Sequence, residues 1–176
     1  MKIAVYCGST PGNDPLYTEM AHELGRWMGQ NGHELVYGGS STGLMGATAD
    51  GVLAEGGRVT GVIPNVALIM GRRHPGLTQV IQTETMAERK TVMLEMADAY
   101  IALPGGIGTL DEITEIMSLH SLGIVRGPVI LYNMNGYYES MRAVLDNILT
   151  HGFGKADYFR DVVFAEDLSQ IIEALA

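Results

Sequence analysis

The 176-residue sequence contains one cysteine, Cys7. That excludes an internal disulfide and a cysteine-rich metal site. Positive charge is scarce: 11 Lys and Arg stand against 20 Asp and Glu, for a formal net charge of −9. The only lysines are Lys2, Lys90 and Lys155. So acidic a chain has no broad basic surface for nucleic acid, and any anion it binds must be met by a few gathered groups. No apolar run approaches the ~18 residues of a membrane span. His22, His33, His74, His120 and His151 are scattered without metal-ligand spacing, so no metal site is expected. There is no Gly-x-Ser-x-Gly elbow for a serine nucleophile. Repeats, linkers and low-complexity segments are also missing.

What is present is the composition of a globular α/β protein: 47% hydrophobic residues, 18% charged, and 23 glycines. The length suits a single domain spanning residues 1–176. The chain enters a strand at Lys2 with no leader-like segment, so the cytoplasm is the expected compartment.

Strand-like and helix-like stretches alternate throughout. Strands are predicted over 2–7, 34–37, 59–63, 79–82, 99–103, 128–132 and 161–164. Helices are predicted over 15–31, 44–55, 85–97, from 109 to about 122, 136–150 and 168–175, while 64–77 has no clear periodicity. This alternation predicts a Rossmann-like, doubly wound parallel sheet in a three-layer α/β/α sandwich. Ligands of such folds lie beyond the C-terminal strand ends, at a topological switch point.

Three glycine-, serine- and threonine-rich turns follow predicted strands, namely Gly8-Ser9-Thr10, Gly38 to Gly43, and Gly105 to Thr109. All three should meet on one sheet edge. A single such turn is ordinary βα chemistry, but three together favour phosphate binding. The third lacks the lysine of a P-loop, and the second is not the G-x-G-x-x-G dinucleotide pattern. A mononucleotide or sugar phosphate fits better than a nucleoside triphosphate or NAD.

The third turn belongs to the stretch that organises the chain, from Ala99 to Glu112. It reads as a buried strand, a Pro-Gly-Gly turn, and a helix with Thr109 as N-cap. Thr109-Leu-Asp-Glu112 matches the capping-box pattern, so Glu112 has two readings: a helix cap, or a functional carboxylate kept ionised by the helix N-terminus. Asp111, Glu112 and Glu115 should repel an anion at that same helix end. Glu112 could instead face a sugar C1 that becomes cationic when its base leaves. Arg89 and Lys90, on the preceding helix, are either solvated charges or the gathered cations. Arg72 and Arg73 could form a lid over an anion or be plain surface charge. Cys7 reads as a small buried residue rather than a nucleophile.

Pro104-Gly-Gly-Ile-Gly-Thr-Leu-Asp-Glu112 resembles the P-G-G-x-G-T-x-x-E signature of the Lonely Guy (LOG) family. These are cytokinin riboside 5′-monophosphate phosphoribohydrolases, long mislabelled as lysine decarboxylases. Val5–Ser9, Val36–Gly46, Gly61–Pro64, Met86–Lys90, Leu122–Ile124 and Asn135–Tyr138 agree in order and spacing, nearly end to end. The resemblance implies a homodimer or larger assembly that uses no metal or organic cofactor. It implies cleavage of the N-glycosidic bond of an adenosine 5′-monophosphate, N6-modified or not, into free base and ribose 5-phosphate. It makes Arg89 and Glu112 the catalytic pair and assigns phosphate and ribose contacts to Gly105, Gly106, Gly108 and Thr109. Gly39, Ser40 and Gly43 extend that substrate-binding set, together with Ser9, Met86 and Lys90. The sequence departs from the family pattern at Ala87, where His is frequent, and at Leu119 and Ser121, where Trp and Gln are frequent. The rival reading is a non-catalytic carrier of a nucleotide or phosphorylated cofactor. A decarboxylase would need a pyridoxal-binding lysine, and only Lys90 is placed to serve.

Overall fold

The computed structural model describes the backbone of residues 1–176 and the side chains of all but residues 67, 68 and 156. Seven strands form one sheet: β1 (Lys2–Tyr6), β2 (Glu34–Tyr37), β3 (Arg58–Pro64), β4 (Gln79–Thr83), β5 (Ala99–Ala102), β6 (Val129–Tyr132) and β7 (Val162–Ala165). Their order is β4-β3-β2-β1-β5-β6-β7, and every pairing is parallel. The chain builds outward from β1 to β4, crosses back to place β5 beside β1, and builds outward again. The switch point therefore lies between β1 and β5.

The helices are α1 (Pro15–Gln30), α2 (Gly43–Ala54), α3 (Ala67–Met70), α4 (Met86–Met96), α5 (Ile107–Ser121), α6 (Glu139–Thr150) and α7 (Leu168–Leu175). Strand alternation assigns them to faces. Ile3 and Val5 of β1 point into a core with Leu24 of α1, Ala49 of α2 and Ile171 of α7. Ala4 and Tyr6 point the other way, toward Met93 of α4, Ile113 of α5 and Leu145 of α6. The expected three-layer sandwich follows from this period of two. The small residues of α2 have a packing reason. A Cβ on Gly25 would stand 2.2 Å from the Thr48 carbonyl oxygen, and one on Gly51 would stand 2.3 Å from that of His22. Side chains there would force α1 and α2 apart.

Element boundaries differ from the sequence reading in three places that matter. The 64–77 segment contains the short α3. The predicted 136–150 helix starts three residues later, as α6 at Glu139, and is preceded by a 3₁₀ turn (Met134–Gly136) with Asn135 in the left-handed region at φ 50°. Most consequentially, α5 begins at Ile107 with Gly106 as N-cap, so Thr109 is not the cap but the third residue of the helix. The Gly106 backbone is extended and hands the chain into helix earlier than a Thr109 cap would.

Candidate active site at the sheet switch point

Strands β2, β1 and β5 are adjacent, so the turns that follow them converge. The Gly8 amide donates to the Pro104 carbonyl at 3.0 Å, and the Thr42 hydroxyl donates to the Ser9 carbonyl at 2.9 Å. Two tyrosines brace the third turn from outside. The Tyr138 hydroxyl donates to the Leu103 carbonyl at 2.7 Å, and the Tyr137 hydroxyl donates to the Gly105 carbonyl. Between the turns opens a cleft of about 450 Å³.

One wall is the N-terminus of α5. The Leu110 amide is the first to reach an intrahelical carbonyl, that of Gly106 at 3.2 Å. The amides of Ile107, Gly108 and Thr109 precede it and are left to face outward. Gly106 and Gly108 line the cleft, and a Cβ on either would meet no atom within 4 Å. Their open sides leave the backbone accessible to a ligand. Ser9, Ser40 and Thr109 add hydroxyls to the same cleft. Helix dipole, unpaired amides and hydroxyls together make a seat for an anion.

The other predicted glycines do different work. A Cβ on Gly105 would stand 2.1 Å from the Thr109 hydroxyl and 2.8 Å from the Gly8 amide. Gly43, at φ +62°, would clash with the Ser9–Thr10 backbone at 2.3 Å, and Gly39, at φ +80°, with Ile63. Gly105 and Gly43 let the turns pack on one another, Gly39 fits against β3, and none of the three lines the cleft.

The same cleft is lined by a buried ion pair. Arg89 of α4 and Glu112 of α5 are 7% and 8% exposed. The Arg89 Nη1 donates to Glu112 Oε1 at 2.7 Å, and its Nε donates to the Val62 carbonyl at 3.2 Å. Gly38 makes room for the guanidinium, because a Cβ there would be 2.1 Å from Arg89 Nη2. Both members of the pair line the cleft. Glu112 is not a helix cap. Nor does the helix dipole decide its protonation: burial pushes its carboxyl up from the ordinary value, opposed by the charge and hydrogen bond of Arg89. The guanidinium forks between the carboxylate and the Val62 carbonyl and so holds Glu112 in place.

Lys90 turns away from the cleft. Its ammonium pairs with Asp111 at 3.0 Å and Glu115 at 2.8 Å, and these partners push its pKa up. It borders a separate cavity of about 120 Å³, which Glu112, Tyr6 and Leu119 also line. The carboxylates that seemed set to repel an anion are thus matched: Asp111 and Glu115 by Lys90, Glu112 by Arg89. Burial, with the Glu112 charge adding to it, drives the Cys7 thiol well above its usual range, which leaves an inert side chain in the cleft wall. Met86 lines the cleft, joined by Met45, Ile69, Ile107 and Arg72. Met45 falls in a predicted helix and so read as core, while Ile69, in a segment without periodicity, and Ile107, inside the third turn, carry no charge or hydroxyl to mark them. Among the described residues, no group of His, Cys, Asp and Glu is arranged to hold a metal ion.

A doubly wound α/β fold with an anion seat and a buried Arg–Glu pair at its switch point defines a phosphate-ligand-binding protein with catalytic potential. Comparison with known proteins narrows the class. The family described as "Possible lysine decarboxylase" matches residues 45–175. A cytokinin riboside 5′-monophosphate phosphoribohydrolase of Arabidopsis thaliana, LOG7, is 40% identical over 99% of this chain and 80% of its own length. The Rhodococcoides fascians protein of the same description is 36% identical over 98% of this chain and 88% of its own. The chain belongs to this LOG family. In three dimensions it superimposes on the molybdenum-cofactor carrier protein of Chlamydomonas reinhardtii with a TM-score of 0.74, at 22% identity over 98% of this chain and 93% of that one, a likeness of fold alone.

Proposed function

We propose that the protein hydrolyses the N-glycosidic bond of an adenosine 5′-monophosphate, N6-modified or plain, to free base and ribose 5-phosphate. The observation that carries this reading is the buried Arg89–Glu112 pair lining one cleft together with the open amide end of α5. The relatives' shared description as cytokinin riboside 5′-monophosphate phosphoribohydrolases supports the substrate class.

The 5′-phosphate sits on the amides of Gly106 to Thr109, with Ser9 and Ser40 beside it. The base lies against the apolar wall that includes Met45 and Met86. As the C1′–N bond breaks, its electron pair leaves with the base and positive charge develops on C1′ and the ring oxygen. The Glu112 carboxylate stabilises that charge and orients the water whose oxygen bonds to C1′. One water proton passes to the carboxylate, which returns it to solvent, and the departing base gains one from solvent, so the net reaction consumes one water. Arg89 is a positioning residue that fixes the Glu112 rotamer and keeps it ionised.

The protein works in the cytoplasm as a homodimer or larger assembly and uses neither a metal nor an organic cofactor. Among the described residues, no helix is long and apolar enough to cross a membrane. Leu122 and Ile124, 69% and 63% exposed just beyond α5, are apolar surface suited to self-association. The test is incubation with a panel of nucleoside 5′-monophosphates and chromatographic detection of free base. Release from AMP or its N6-modified relatives is expected. Tight binding with no release from any of them would favour a carrier.

A further inference from the structure

We propose that Arg72 is a phosphate-binding residue of the cleft, supplied by the segment between α3 and β4. This rests on the phosphate-ester reading of the cleft but not on the hydrolysis.

Arg89 is committed to Glu112, and Lys90 to Asp111 and Glu115. Arg72 lines the same cleft as Ser9, Ser40, Gly108 and Thr109. Among the described residues it forms no ion pair with a carboxylate. A phosphate dianion on the α5 amides would therefore find one uncommitted cation in the cleft wall. A guanidinium can take two phosphate oxygens at once.

The backbone around Arg72 is anchored, so its side chain leaves from a fixed point. The Arg72 carbonyl accepts from both the Ser41 amide, at 2.8 Å, and the Ser41 hydroxyl, at 3.1 Å. Arg73 forms an antiparallel bridge with Ser40, and the His74 amide donates to the Gly39 carbonyl at 2.8 Å. This binds the segment to three consecutive residues of the second glycine-rich turn, Gly39, Ser40 and Ser41. His74, itself buried, fastens the far end. Its Nδ1 accepts from the Gly76 amide at 3.0 Å, so the proton is on Nε2, which donates to Asp50 Oδ1 of α2, also at 3.0 Å. The neighbouring Arg73 carries the same charge but does not line the cleft, and serves as the internal control.

The experiment is calorimetric titration with ribose 5-phosphate and with ribose, on wild type, Arg72→Ala, Arg72→Lys and Arg73→Ala. Thermal melts confirm that each variant is folded. Arg72→Ala should weaken ribose 5-phosphate binding by about tenfold or more, Arg72→Lys by less, and Arg73→Ala by under about twofold. The ribose titration should not distinguish Arg72→Ala from wild type. The inference is overturned if Arg72→Ala stays within about twofold of wild type, if Arg73→Ala loses as much as Arg72→Ala, or if wild type shows no saturable binding of ribose 5-phosphate. Because no turnover is involved, failure of the hydrolase reading would appear in the base-release panel and leave this result standing.

Discussion

Thr85-Met-Ala-Glu88 and Thr109-Leu-Asp-Glu112 are the same pattern, a threonine followed three residues later by glutamate, each at the entrance to a helix. They have opposite fates. At α4, Thr85 is the N-cap: its hydroxyl accepts from the Glu88 amide at 3.1 Å, and Glu88 reaches back to the Glu84 amide at 2.7 Å. Both side chains are exposed, and the motif only finishes a helix end. At α5 the helix has already begun at Ile107 when Thr109 arrives. Glu112 then falls a full turn inside, on the face turned to the sheet, where Arg89 meets it. The residue that decides between the two outcomes is upstream of the motif. There Gly106, not Thr109, is the N-cap, and the helix starts three residues earlier than a Thr109 cap would place it.

This contrast can be broken from either side. The largest effect belongs to Glu112→Gln, which keeps shape and removes charge. Base release from AMP should fall by about 10²–10³-fold, measured by chromatography on folded protein. Arg89→Ala comes next. It leaves a buried carboxylate without its partner, so unfolding by denaturant should show a loss of about 3–5 kcal/mol, and turnover should drop with it. Gly38→Ala tests the same pair without touching either member: its methyl takes the space of Arg89 Nη2, and activity should fall while the melting temperature changes less than in Arg89→Ala. The smallest effect is at the ordinary cap. Thr85→Ala should cost about 1 kcal/mol of stability and leave turnover per folded molecule unchanged. A catalytic loss at Thr85 equal to that at Glu112 would erase the distinction.

The fold was legible because a period of two in the strands and helical spacing between them is a strong signal, and parallel α/β topology leaves few alternatives. The convergence of three glycine-rich turns was legible for the same reason. Harder to see was which glycines face the ligand. Gly105 and Gly108 look alike in sequence, yet one is packed under Thr109 and the other is open, a difference set by contacts between turns distant in the chain. The adjacent cations were likewise inseparable. One residue of helical rotation sends Arg89 into the cleft and Lys90 to the surface. The helix dipole suggested that Glu112 has a lowered pKa, but burial depends on the packed sheet and acts in the other direction. Resemblance to the family marked Arg89 and Glu112, whereas Arg72 lies in a segment without periodicity and shows its place only once its backbone is seen bound to the second turn.

The central claim, that Glu112 acts as a buried carboxylate paired with Arg89, is tested most directly by the pH dependence of kcat/KM for base release from AMP. The active form is the ionised carboxylate, and its pKa in the folded protein is raised. Activity should therefore be lost as pH falls through a value above that of an ordinary glutamate, and that acid limb should be missing from the residual activity of Glu112→Gln. An acid limb at the ordinary glutamate value, or one that persists unchanged in Glu112→Gln, would contradict the account.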